Sequence, residues 1–157
     1  MQPAVVISVN VNPDGGVPKN PVECAFLRKG GVEGDRQNDL KHHGGPNRAV
    51  CLFSSEIIEA LRKEGHPIEA GSVGENLTIS GLDWDVLQPG SKLNIGDALI
   101  EVTGPAPPCR TIQKSFAEGN YSRISEKKNS GWSRWYARVL VEAQVHPKDA
   151  VIILECQ

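Results

Sequence analysis

In "GPAPPCR", residues 104–110, a thiol stands directly behind two adjacent prolines and directly before an arginine. The prolines hold the backbone near extended or polyproline geometry, remove two N–H donors and pre-set φ for entry into a helix. If "CRTIQKSF" is helical, with Ile112 and Phe116 on one face, Cys109 lies at its N-terminus. There the dipole and free N–H groups favour a thiolate, and Arg110 adds positive charge. A thiolate attacks electrophiles and binds soft metals. The plainer reading is a buried thiol after a proline turn, and the local sequence leaves both open.

The other three cysteines have ordinary surroundings. Cys24 in "VECAFL" and Cys51 in "RAVCLF" read as small apolar core residues, and Cys156 is the penultimate residue. No two cysteines stand at C-x-x-C spacing, which disfavours a zinc ribbon or a thioredoxin-like dithiol. His42 and His43 are adjacent in "HHGGPNR" and point to opposite sides of an extended chain, so they make a poor bidentate metal site. One of them reads as a proton donor near a substrate or, equally, as a ring that pins the glycine loop. His66 and His146 stand beside or near prolines in turn contexts and read as surface residues. Cys109 with His42 or His43 and Asn76 contains the residue types of a thiol hydrolase, but types without geometry carry little weight.

The elements that must position these groups are short. With 16 glycines and 11 prolines in 157 residues, the chain favours many strands over long helices. The stretches "AVVISVNV", "VECAFL", "RAVCLF", "ENLTIS", "SKLNI", "ALIEVTG" and "DAVIIL" read as strands. "RWYARVLVEAQV" alternates, with Trp135, Ala137, Val139, Val141, Ala143 and Val145 on one side, as in a half-buried strand. "SSEIIEALRKEGHP" is the clearest helix, capped by Ser54 or Ser55 and stopped by Gly65 and Pro67. Trp132 and Trp135 read as core and rim packing. The polar segment 28–48, with five glycines, is long for an incidental link and reads as functional or disordered.

The fold expectation is a mainly β single domain over residues 1–157, a closed or nearly closed β-barrel with a few short helices. A net charge of −2 and 5% aromatic residues argue against a nucleic-acid module. No apolar run is long enough to span a membrane, and "MQPAVVISVNVN" lacks the pattern of a secretory signal. A soluble, cytoplasmic protein is expected, with neither nucleic acid nor membrane as partner. Exposed strand edges leave monomer and homodimer both open.

The blocks "GVEGDRQ" (31–37), "HHGGPNRAV" (42–50), "GSVGENLTISGLD" (71–83), "LNIGDALIEVTGPAPPC" (93–109) and "GWSRWYARVL" (131–140) carry a resemblance through nearly the whole chain. Together they resemble the MOSC domain family, named for the C-terminal domain of molybdenum cofactor sulfurases, and most of all its stand-alone bacterial members. The resemblance implies a β-barrel fold and a molybdopterin-type cofactor, with Cys109 at the family's cysteine; pyridoxal phosphate is not expected. It implies either of two roles. In one, Cys109 ligates molybdenum in an oxidoreductase that reduces N-hydroxylated bases or related N-oxygenated compounds, with His43 as a catalytic partner and electrons from a separate redox protein. In the other, Cys109 holds a persulfide, and the domain is a sulfur carrier or cofactor-delivery module. Candidates for holding the anionic pterin are Arg36, Lys41, His42, Gly44, Gly45, Arg48, Glu75, Asn76 and Arg110. Near the end, relatives show a "G-x-V-x-x-G-D" turn, whereas this chain has "EAQVHPKDAV", with Ala143 and Lys148 in place of the glycines. That substitution puts the geometry of this turn in question.

Overall fold

The computed structural model describes residues 3–36 and 45–154. Lys41, His42, His43, Gly44 and Cys156, for which the sequence suggests roles, lie outside the described residues. The first strand, β1 (Val5–Val11), pairs antiparallel with β2 (Asn20–Val22) on one side. On its other side it pairs with β6 (Leu77–Ser80). "VECAFL" is broken at Glu23 and Cys24, so its second half forms β3 (Ala25–Arg28), which pairs with β4 (Gly31–Val32) in a separate small sheet. The strand β5 (Val50–Ser54) runs parallel to β6, joined to it through helix α1 (Ser55–Lys63). This crossover is the one parallel pairing among the described strands. Their other pairings are antiparallel.

Helix α1 forms for the reasons its sequence suggests. The Ser54 hydroxyl accepts from the Ile57 N–H at 3.2 Å, Glu56 lies at the positive end, and Arg62 and Lys63 lie at the negative end. Ile58 and Leu61 face the core, and Gly65 leaves the helix at φ 101°.

The second half of the chain builds the long strands. β7 (Lys92–Ile95) and β8 (Ala98–Ala106) form a hairpin, and β8 pairs along β9 (Arg134–Val141). β10 (Ala143–Val145) leaves the large sheet to pair with β3, and β11 (Val151–Leu154) returns to pair with β7. The larger sheet has eight strands in the order β11-β7-β8-β9-β5-β6-β1-β2. One continuous core of apolar side chains covers it, among them Phe53, Leu52, Leu77, Ile79, Leu93 and Ile100. Trp84 packs edge-on to Phe53 and donates its indole N–H to the Ser133 carbonyl at 2.8 Å. No helix among the described residues is long and apolar enough to cross a membrane.

The mainly β expectation holds, but the closed barrel does not. The segment before β11 meets β1 through the Val5–Ala150 bridge, with Val6 N–H donating to the Asp149 carbonyl, Lys148 N–H to the Val6 carbonyl and Val151 N–H to the Ala4 carbonyl. β11 itself pairs with β7 and does not continue as a ladder along β1, so the sheet stays open. The physical reason is the turn just before β11. Asp149 accepts from His146 N–H through Oδ2 and donates its own N–H back to the His146 carbonyl, so the chain bends here and only residues 148–151 reach β1. Lys148 in this turn has φ 79°, the left-handed conformation of the glycine it replaces.

A cation-walled cavity beside Cys109

A cavity of about 530 Å³ opens where six segments of chain converge. Gly16, Val17 and Lys19 reach it from the β1–β2 connection, and Asp35 and Arg36 from the segment after β4. Arg48 and Cys51 approach along β5, and Val73, Gly74 and Asn76 along the turn before β6. The segment after β8 contributes Pro107, Pro108, Cys109, Thr111 and Ile112, and the start of β9 contributes Arg134 and Tyr136. Among the described residues, four cations thus line the wall against one carboxylate, Asp35.

Cys109 is partly exposed and lies just before a 3-10 helix over Arg110–Ser115. Ile112 and Phe116 are buried as their spacing suggests, which anchors this short helix to the core. The thiol caps no backbone N–H; its Sγ lies 2.9 Å from the Thr111 hydroxyl oxygen. When Cys109 is a thiolate, that hydroxyl is the donor. Arg110 is exposed and lies outside the cavity lining, so its charge does not enter the cavity as the sequence suggested. One residue past Cys109 the helical turn has already swung the side chain outward.

Asp35 is held by three donors: Lys19 Nζ at 2.7 Å, Asn76 Nδ2 at 2.8 Å and the Asn12 N–H at 2.9 Å. Lys19 and Asp35 are 10% and 4% exposed at their side chains, so this ion pair is a buried strut. Asn76 also accepts from the Cys51 N–H at 3.0 Å and donates to the Asn10 carbonyl at 3.3 Å. It braces β1, β5 and the segment after β4 at once. Its amide faces the cavity but its donors are spent on the frame.

Gly45 begins a 3-10 turn with φ 82° and lies outside the lining. Arg36 is exposed at the cavity wall, with its backbone N–H bound to the Asn12 carbonyl. Arg48 lies with its guanidinium carbon 5.3 Å from the centre of the Tyr136 ring. Tyr136 and Cys51 are direct neighbours across β5 and β9. Burial pushes the Tyr136 phenol up to about 12 and the Cys51 thiol up to about 11. Both therefore stay protonated at neutral pH, and Cys51 is no second thiolate.

His66 is not the surface residue its sequence context suggests. Its ring packs edge-on to Phe116 and its Nδ1 accepts from the Ala117 N–H at 3.0 Å, which helps seat the segment after Cys109.

Arg134, which no sequence motif singles out, is the most enclosed cation of the wall at 5% exposure. Its guanidinium donates to three carbonyls: Val73 at 2.6 Å, Pro107 at 3.1 Å and Ala106 at 3.4 Å. Among the described residues it has no carboxylate within ion-pair distance, and its Nε–H has no partner.

Glu75, expected at the ligand, is fully buried and points away from the cavity between two lining residues, Gly74 and Asn76. Its Oε2 accepts from Thr78 at 3.0 Å, while its Oε1 has no partner among the described residues. Burial raises its acid to about 7, opposed by the nearby Gly71 and Glu75 backbone N–H dipoles, the Thr78 hydroxyl and the Arg134 charge. A folded-state value above the unfolded one near 4.5 means that the native protein holds the proton more tightly. Glu75 thus favours folding in full below pH 4.5, and that stability is lost as pH rises through about 7. Between those limits wild type should lose ~3 kcal/mol relative to Glu75→Gln. Urea melts of both proteins from pH 4.5 to 8 check this, and parallel curves would refute it.

The fold is thus an open, mainly antiparallel sheet that carries a cation-walled cavity beside a partly exposed thiol. The chain belongs to the MOSC domain family, whose model matches residues 39–152. It is similar to the uncharacterized protein YflK of Bacillus subtilis, at 33% identity over 134 residues, which cover 84% of this chain and 60% of that protein. To protein YiiM of Escherichia coli it is 30% identical over 124 residues, which cover 76% of this chain and 54% of that protein. The chain thus spans less than two thirds of the length of these curated relatives. Among solved structures it is similar to YiiM from Geobacillus stearothermophilus, with 26% identity and a TM-score of 0.73 over 98% of this chain and 76% of that one.

Proposed function

We propose that the chain binds a pterin-based molybdenum cofactor in this cavity, with Cys109 as the protein's ligand to the metal, and reduces N-hydroxylated bases or related N-oxygenated compounds. The observation that carries the reading is the conjunction of Cys109 with a wall of Lys19, Arg36, Arg48 and Arg134 in one cavity of a MOSC domain. The residues fit such a group. Its volume of about 530 Å³ lies within the range for small-ligand sites. Among the described residues no three His, Cys, Asp or Glu side chains converge as a metal cage. A single thiolate suits a metal whose remaining soft ligands come with the cofactor. When bound, the cofactor supplies two-electron oxygen-atom chemistry.

The chain's own residues do the rest. Arg134, with its unpartnered Nε–H, and Arg48 offer charge to the anionic part of the ligand. Lys19, neutralised by Asp35, holds the wall in place. Neutral Tyr136 and Cys51 keep the floor free of negative charge beside the thiolate. Thr111 holds the Cys109 sulfur in one orientation. The net reaction converts an N–OH group, two electrons and two protons into N–H and water, and a separate redox protein supplies the electrons.

The test is metal and pterin analysis of protein from a host that makes the cofactor, followed by assay with reduced viologen and an N-hydroxylated purine. About one molybdenum per chain and turnover of the purine are expected. A molybdenum-loaded protein that reduces no N-hydroxylated compound refutes the reductase, and sulfur transfer from metal-free protein would favour the carrier role instead.

A further inference from the structure

We propose that a phosphate-type oxyanion docks against Arg134 in the cavity and that Glu75, on the far side of the same turn, takes up a proton as the anion binds. The inference rests on the reading of the cavity as an anion pocket and not on the metal, the thiol or the reduction.

Two buried side-chain atoms among the described residues lack a hydrogen-bond partner: Nε of Arg134 and Oε1 of Glu75. An orphaned donor on a buried cation costs free energy unless a ligand meets it. The guanidinium cannot move to seek a partner, because the Val73, Ala106 and Pro107 carbonyls hold it. It is thus a pre-organised cation whose held carbonyls provide no counter-charge.

Gly74 lines the cavity next to it. A Cβ there would lie 3.1 Å from Val17 Cγ1 and 4.0 Å from Arg134 Nη1, and the residue has φ 85°. Any side chain at position 74 would narrow the gap between Val17 and the guanidinium.

The same turn ties the cation to the acid. Arg134 grips Val73, two residues before Glu75, and its charge acts on the Glu75 carboxyl through a dry interior. The other groups facing this region are Cys51 from β5, which stays a neutral thiol, and Lys19 with Asp35, which neutralise each other. Arg134 is therefore the cation that favours ionised Glu75. An oxyanion on Arg134 cancels part of that charge, so the acid gains a proton; by linkage, protonated Glu75 favours the anion.

The probe is inorganic sulfate, a dianion that does not titrate near neutral pH, measured by calorimetry at pH 7 in two buffers of different ionisation enthalpy at fixed ionic strength. Wild type takes up a fraction of a proton per sulfate. Its affinity is then weaker at pH 8 than at pH 6. Glu75→Gln binds with no proton uptake and no such pH dependence. In wild-type protein sulfate shifts the Nε–H resonance of Arg134, a readout that needs no variant to fold. Absence of sulfate binding, binding without proton uptake, uptake that survives Glu75→Gln, or an unmoved Arg134 resonance would each overturn the proposal. Because no metal is used, a failed reductase assay leaves this result standing, and the reverse holds too.

Discussion

Cys109→Ala is expected to lose molybdenum by at least about 100-fold in retention while its melting temperature stays within about 2 °C of wild type. The stability half follows from position. The side chain is partly exposed, caps nothing, and touches the Thr111 hydroxyl as its polar partner. Replacements at such sites cost within about 0.5 kcal/mol. The metal half follows from the donor set, since removing an outer-shell partner of a metal ligand already costs about 10–100-fold, and here the ligand itself goes. Cys51→Ala provides the contrast. Its thiol is buried beside Tyr136 and protonated, so this variant should lose about 1 kcal/mol and keep the metal. Metal analysis and thermal melts of the two variants side by side decide the matter. Wild-type molybdenum content in Cys109→Ala would remove the thiol from the coordination sphere.

Gly71→Ala should be among the most damaging single-methyl changes in the protein, costing about 3 kcal/mol or more. Gly71 has φ 83°, which alone costs alanine about 1 kcal/mol. A Cβ there would overlap the Lys19 carbonyl oxygen and press within 3.3 Å of Asn10 Cγ. The Lys19 N–H is bound to the Gly71 carbonyl at 2.9 Å, so the two backbones cannot part without breaking that bond. Displacing Lys19 would also disturb its pair with Asp35 and hence the cavity wall. We expect the melting temperature to fall by about 10 °C and sulfate affinity to weaken with it. A fall of less than about 2 °C would show that this strap is slack.

The residues that were legible in the sequence are those whose neighbours along the chain set their environment. The "PPC" approach, the Ser54 cap and the buried Ile112 and Phe116 all rest on contacts within a few residues. Arg134 was not legible because the alternation in "RWYARVLV" assigns its face to solvent. In the fold, the first half of β9 is covered on both faces. Trp135 and Ala137 meet the core, while Arg134 and Tyr136 meet the cavity. A period of two reports that faces differ, not what lies against the second one. The Glu75 and Asn76 roles were likewise open, since adjacent residues on an extended segment part company: Asn76 turned to the cavity and Glu75 to the interior. The closed barrel failed for a similar reason, because whether sheet ends meet depends on partners nearly the whole chain apart.

That last contact has a consequence for how the protein is made. The bridge from Val5 to Ala150 and the bonds beside it join nearly the first described strand to the last. A nascent chain leaving the ribosome can form the β5-α1-β6 crossover and the β7–β8 hairpin from neighbouring segments. The Val5 to Ala150 seam must wait until residue 150 has cleared the exit tunnel. Until then the start of β1 lacks this second partner. The seam between the two ends of the sequence is therefore a late contact of folding, closing on strands that local pairing has already built.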